Sequence, residues 1–118
     1  MAVFPDFFAK LPEADVAFTG AEVRLLRGPA ASAIFVVARE HMEVPSHTHA
    51  AQWGIVVDGE MRLTIGGRTG TYRRGDSYLV PAGTPHRATL RAGTQVIDVF
   101  DDPDRYRPRT GGKNDLSR

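Results

Sequence analysis

The chain contains no cysteine, which removes disulfide frameworks and thiolate metal sites together and leaves nitrogen and oxygen donors for any bound metal. It also lacks an excess of charge, since 15 Lys and Arg stand against 14 Asp and Glu, a formal net charge of +1. A chain so balanced carries no large field to hold a phosphate backbone or an anionic lipid surface, and neither nucleic acid nor membrane is expected as a partner. Long hydrophobic runs are missing as well. The longest, Ala33 to Ala38, is far short of the roughly 20 residues that cross a bilayer. The opening Met-Ala-Val-Phe-Pro-Asp has neither the basic start nor the apolar stretch of a secretion signal, so a cytoplasmic location is expected. No segment shows a sustained helical period with caps, which disfavours an α/β fold.

What is present is a chain of 118 residues with 42% hydrophobic residues, 12 glycines and 8 prolines, enough for one core and rich in turns. From Glu22 onward, short runs of β-branched and aromatic residues alternate with turn residues. Strands are expected over Glu22–Leu26, Ser32–Glu40, Gln52–Asp58, Glu60–Ile65, Gly70–Arg73, Ser77–Val80, His86–Leu90 and Thr94–Phe100. Asp58-Gly59, Gly66-Gly67, Arg74-Gly75-Asp76, Pro81-Ala82-Gly83 and Ala92-Gly93 supply the turns. The rhythm predicts an all-β domain over residues 15–102. Residues 1–14 read as an arm whose Phe4, Phe7 and Phe8 need an apolar surface, expected to be the barrel of a partner in a homodimer. Residues 103–118 are polar enough to predict a loose tail.

Four histidines are present. In His47-Thr48-His49 two imidazoles share one side of an extended backbone and can converge on a point. Pro45 stiffens their approach, and His86 follows the rigid turn Pro81-Ala82-Gly83-Thr84-Pro85. Two close ligands and a distant one on another strand are what a metal site built across strands needs. A lone histidine on a strand is usually structural, but three at this spacing favour one divalent ion, with Zn, Ni, Mn, Fe and Cu not distinguished.

These residues resemble the cupin family. Its first motif runs glycine, five residues, His-x-His, three or four residues, glutamate, six residues, glycine, and His47-x-His49 through Gln52 to Gly59 matches it. Its second motif runs glycine, five residues, Pro-x-Gly, two residues, histidine, three residues, asparagine, and Gly75, Pro81, Gly83 and His86 match it. Three departures stand out: His41 replaces the first glycine, Leu90 the final asparagine, and Gln52 the glutamate ligand, one residue nearer His49 than the shorter family spacing. The resemblance implies a jelly-roll β-barrel with His47, His49 and His86 on the metal. Gln52 is either a fourth ligand or a side chain that orients a bound water or ligand.

Three imidazoles and an amide add no negative charge, so the ion would keep its full charge and favour an anionic or carbonyl-bearing small molecule. Such a neutral shell also supports higher oxidation states of iron poorly. Trp53, Phe35, Met61 and Tyr78 are candidates for lining the ligand pocket, although packing is the commoner reason for such side chains. Arg68, Arg73 and Arg74 read as a solvated turn. No acid or base is assignable, and Asp98 and Glu60 are candidates only as carboxylates in strands. Two functions stay open: a metal-dependent enzyme, with dioxygenase, isomerase and lyase chemistry unresolved, or a non-catalytic binding or sensing module.

Overall fold

The computed structural model describes residues 3–110. Its strands are β1 (Ala21–Arg27), β2 (Ser32–Ala38), β3 (Met42–His47), β4 (Gln52–Asp58), β5 (Glu60–Ile65), β6 (Arg68–Arg73), β7 (Ser77–Val80), β8 (His86–Leu90) and β9 (Gln95–Phe100). They form two antiparallel sheets, one ordered β1-β2-β9-β4-β7 and the other β3-β8-β5-β6. This is the all-β jelly roll expected. Alternation places the side chains: β2 sends Ile34, Val36 and Ala38 into the core and Ala33, Phe35 and Val37 to the outer face. Val23, Leu25, Val56, Met61, Leu63, Leu90, Val96 and Phe100 complete the interior from both sheets.

One strand was not expected. β3 contains Pro45, which cannot donate to a ladder, and it survives because β3 is a sheet edge paired with β8 alone. The register shifts between Val44 and His47, so the proline sits in an irregularity that re-aims the end of the strand. β6 likewise begins at Arg68, which puts Arg68 and Arg73 in a strand rather than a turn, with Arg73 Nε 3.2 Å from Glu60 Oε1. Gly59 joins β4 to β5 with φ +92°, and a Cβ there would lie 2.6 Å from Thr94 Cα. Thr94 is fully buried, accepting from the Glu60 N–H at 3.1 Å and donating to the Glu60 carbonyl at 3.0 Å.

Both ends lie on the barrel where they are described. The arm forms a short 3-10 helix over Asp6–Lys10 and lies on its own barrel. Phe4 and Phe8 stack at 5.6 Å and pack on Phe35 of β2 at 5.7 and 4.7 Å, so these two rings find apolar surface on their own barrel, while Phe7 is 63% exposed. The tail is not loose where it is described. The Asp15 N–H donates to the Arg107 carbonyl and the Arg109 N–H to the Glu13 carbonyl, both at 2.8 Å, while Tyr106 packs edge-on against Phe100. Polar composition hid this docking because it rests on backbone pairing and one aromatic ring. Residues 111–118 lie outside the described residues.

Candidate metal centre

The site is built where β3 ends and β8 begins. His47 closes β3 directly opposite His86, the first residue of β8. His49 stands in the connection to β4, and its carbonyl accepts from the Gly83 N–H at 2.9 Å. The turn that delivers His86 is thus tied to the segment that carries His49. Gly83 takes φ +75° in that turn, a conformation open to glycine at little cost.

Each imidazole is oriented by its Nδ1. His47 Nδ1 lies 2.8 Å from the Pro45 carbonyl, His49 Nδ1 2.7 Å from the Ala50 carbonyl, and His86 Nδ1 2.9 Å from the Thr84 carbonyl. A carbonyl only accepts, so all three Nδ1 atoms carry the proton and donate it, and in the neutral rings every Nε2 presents a lone pair. Those pairs converge. The potential ligand atoms lie within 4.8 Å of one another, and His86 Nε2 is 3.0 Å from His49 Nε2. With both Nδ1 positions protonated, neutral rings leave no proton for that last contact, and a cation is the partner such an arrangement fits. Electrostatics agree for two of them: burial holds His47 below its ordinary value and His49 down to about 4, which favours the neutral, ligating form of both.

The interior behind the histidines is a small cavity of about 60 Å³, shared by His47, His49, His86, Gln52, Tyr78 and Asp98. Gln52 Oε1 is buried there without a hydrogen-bond partner. An orphaned buried carbonyl oxygen on a residue that lines the same cavity as the three histidines suits a fourth donor to a divalent ion, and the residues present fit such an ion.

Deeper in the same cavity lies a buried polar pair. Tyr78 on β7 and Asp98 on β9 both oppose Gly54 of the intervening β4. The tyrosine reaches across the glycine and donates its hydroxyl proton to Asp98 Oδ1 at 2.6 Å. A Cβ on residue 54 would overlap both the Tyr78 ring and the Asp98 carboxylate, so glycine is what allows two strands to communicate over a third. Burial raises the Asp98 carboxyl, opposed by hydrogen bonds from Tyr78 and from the Gln52 side chain. Burial, reinforced by Asp98, lifts the Tyr78 hydroxyl well above its usual range.

At the mouth a wider groove is lined by His47, Pro45, Arg105 and Tyr106 among others. The Arg105 guanidinium sits 4.1 Å from the Tyr106 ring centroid and 5.7 Å from that of Phe100, and the Phe100 ring lies 5.2 Å from His49. Arg105 Nε is buried and has no hydrogen-bond partner among the described residues, and its positive charge helps hold both His47 and His49 below their ordinary values.

The structure therefore brings together His47, His49, His86 and Gln52, with Met61 and Tyr78 on the cavity wall. It separates two of the pocket candidates. Phe35 faces outward beneath the arm, and Trp53 is 43% exposed on the outer face of β4. Both sit one residue out of phase with the inward set, Ile34 and Val36 on β2 and Gly54 and Val56 on β4. Of the two carboxylates, Asp98 belongs to the site, while Glu60 is tied to Arg73 and Arg91 at the surface. Arg105 went unrecognised because it falls in the segment read as tail. Its neighbour Tyr106, an aromatic within a polar run, was the available signal.

A two-sheet jelly roll with a three-histidine cluster inside one end defines a class, the small single-barrel proteins with a metal-binding type of site. The cupin domain family matches residues 33–100, and the chain belongs to that family. Among solved structures, an RmlC-like cupin from Shewanella frigidimarina is similar with a TM-score of 0.72 and 26% identity, over 89% of this chain and 94% of that one. KdgF from a Halomonas species aligns at 0.67 and 23%, over 85% and 89% of the two chains. Oxalate decarboxylase from Bacillus subtilis, a protein with Mn(II) centres, aligns at 0.67 and 20%, over 82% of this chain but 30% of its own. The last two likenesses show the fold alone. No curated protein matches the chain in sequence.

Proposed function

We propose that the protein is a metal-dependent enzyme that takes a small anionic or carbonyl-bearing metabolite at the open end of the barrel, with one divalent ion held by His47, His49, His86 and Gln52. The observation that carries the reading is Arg105, whose buried Nε lacks a partner and whose charge reaches His47 and His49. A guanidinium beside a cation site is repulsive unless an anion lies between them, and a carboxylate supplies that anion with two oxygens. When bound, the ion supplies Lewis acidity. The chain itself contributes the three fixed imidazoles, the guanidinium that orients a carboxylate, and the rings of Phe100 and Tyr106 that keep water from it. Oxalate decarboxylase, a neighbour in fold, is named for a small dicarboxylate, and oxalate is a suitable probe. Calorimetric titration of oxalate into Mn²⁺-loaded protein should show binding that Arg105→Ala weakens about 10-fold or more, the loss expected for a charged hydrogen bond of about 1.5–3 kcal/mol. Equal affinity in both proteins would remove Arg105 from the reading.

One observation favours a binding module instead. The interior carboxylate, Asp98, already accepts from Tyr78 and Gln52 and is thereby occupied as a base. Turnover of a bound carboxylate or hydroxy acid by the metal-loaded protein decides between the two. The homodimer is retained in this proposal with a different surface: Leu79, Trp53, Val99, Ala33 and Leu26 stand in one row of paired positions across the outer face of the five-stranded sheet. Four of them are large and exposed, at 62%, 43%, 37% and 51% for Leu79, Trp53, Val99 and Leu26. Such a strip is self-complementary about a two-fold axis.

A further inference from the structure

The sequence departs from its family at the fourth ligand, where glutamine replaces glutamate, and the structure supplies a reason. Gln52 and Asp98 line one cavity, the Gln52 side chain bonds the Asp98 carboxyl, and Gln52 Oε1 has no partner among the described residues. A primary amide has one acceptor end and one donor end, so the contact with Asp98 is made by Nε2 and the oxygen is left toward the cavity shared with the histidines. Asp98 is held from its other side. Tyr78 donates to its Oδ1 at 2.6 Å, and both side chains pack closely over Gly54.

We propose that Asp98 is a positioning residue that locks the Gln52 amide with its oxygen presented to the metal, and that positions 52 and 98 tolerate only opposite hydrogen-bonding characters. This rests on the metal-centre reading given above. The family's glutamate would face the Asp98 carboxylate with no donor between them. The carboxyl that the family places on the ion stands here one residue deeper, on Asp98, and the amide lies between them. Exchanging the two characters restores the fit: with glutamate at 52 and asparagine at 98, the asparagine Nδ2 donates to the new carboxylate while its Oδ1 still accepts from Tyr78.

The test is a four-protein cycle of wild type, Gln52→Glu, Asp98→Asn and the double variant, each titrated with Mn²⁺ by calorimetry and each melted without metal. Each single variant should lose about 10–100-fold in Mn²⁺ affinity, the range for removing the partner that orients a ligand. The double variant should recover most of it, and the metal-free melting temperatures should show the same non-additive recovery. A residue with a merely structural role would give additive losses, and additive losses in both measurements overturn the proposal. So does a Gln52→Glu protein that binds Mn²⁺ as tightly as wild type or more tightly. Recovery in the melts together with Mn²⁺ affinities equal in all four proteins keeps the pair but removes Gln52 from the metal, which also overturns the proposal. A wild type that binds no Mn²⁺, Zn²⁺ or Ni²⁺ ends the metal-centre reading separately. The melts then decide alone whether the two positions are coupled.

Discussion

Replacing Gly54 with alanine is the smallest perturbation that should damage this protein most. Gly54 sits at the centre of β4 with Tyr78 opposite on one neighbour and Asp98 opposite on the other. The added methyl would overlap the tyrosine ring and the carboxylate together. Neither group can retreat cheaply, because Tyr78 and Asp98 are buried and bonded to each other. Overpacking of a filled interior costs about 1–3 kcal/mol, and losing a buried hydrogen bond to a charged acceptor about 1.5–3 kcal/mol. Together these are about 2.5–6 kcal/mol, a fall in Tm of about 10–24 °C for a domain of this size. Urea denaturation followed by Trp53 fluorescence and a thermal melt by circular dichroism measure it. Gly67→Ala is the control, since nothing lies within 4 Å of the position its Cβ would take. A Gly54→Ala protein that melts within about 4 °C of wild type would show that the interior is not packed as described.

Further outcomes are expected. His86→Ala should abolish metal uptake, measured by elemental analysis of protein exposed to Mn²⁺ or Zn²⁺ and desalted, because it removes one of the three fixed Nε2 donors. The metal-free protein should lose stability as pH falls from 6.5 toward about 4: the unfolded chain protonates its histidine near 6.5, whereas burial holds folded His49 at about 4. The loss, discounted for the partial exposure of that ring, is about 1–2 kcal/mol, and urea midpoints unchanged across this window would contradict it. Trp53→Glu should convert a dimer to a monomer in light scattering, whereas deleting residues 1–10 should leave the mass per particle at two chains. A chain ending at Asp102 should melt several degrees lower, since it loses Tyr106 and the pairing with residues 13–15.

The strands were legible wherever a period of two coincided with turn residues, as in Gln52–Asp58, and the three histidines were legible because their side chains fall at motif spacing on extended backbone. What escaped depended on partners distant in sequence. β3 reads poorly because Pro45 argues against a strand unless that strand is known to be an edge. Phe35 and Trp53 were plausible pocket residues by chemistry, and only the phase of their strands against the core shows that they face outward. Arg105 lies in a run of charges whose composition speaks for solvent, and its place over Phe100 follows from pairing with residues 13–15. Nothing in the sequence near Gly54 marks the tyrosine and the aspartate that the fold brings to either side of it.

Asp98 also changes the electrostatic argument that the ligand set alone supports. Three imidazoles and an amide leave a divalent ion unneutralised, which by itself favours anions on every open side. The structure makes the surroundings unequal. On the inner side a fully buried carboxyl, its pKa raised by that burial, is already bonded to Tyr78 and Gln52, and an anion pushed that way would be desolvated without a donor from it. On the groove side Arg105 adds a positive charge near His47 and His49. The charge of an ion held there and the guanidinium would therefore act together at the mouth. A small carboxylate should be held with its charged end between the ion and Arg105. The inner wall of Met61, Leu63 and Val96 suits an uncharged remainder. The cavity there is about 60 Å³, room for a few atoms at most. Ligands larger than a short-chain acid must extend outward along the groove toward Arg105 and Tyr106.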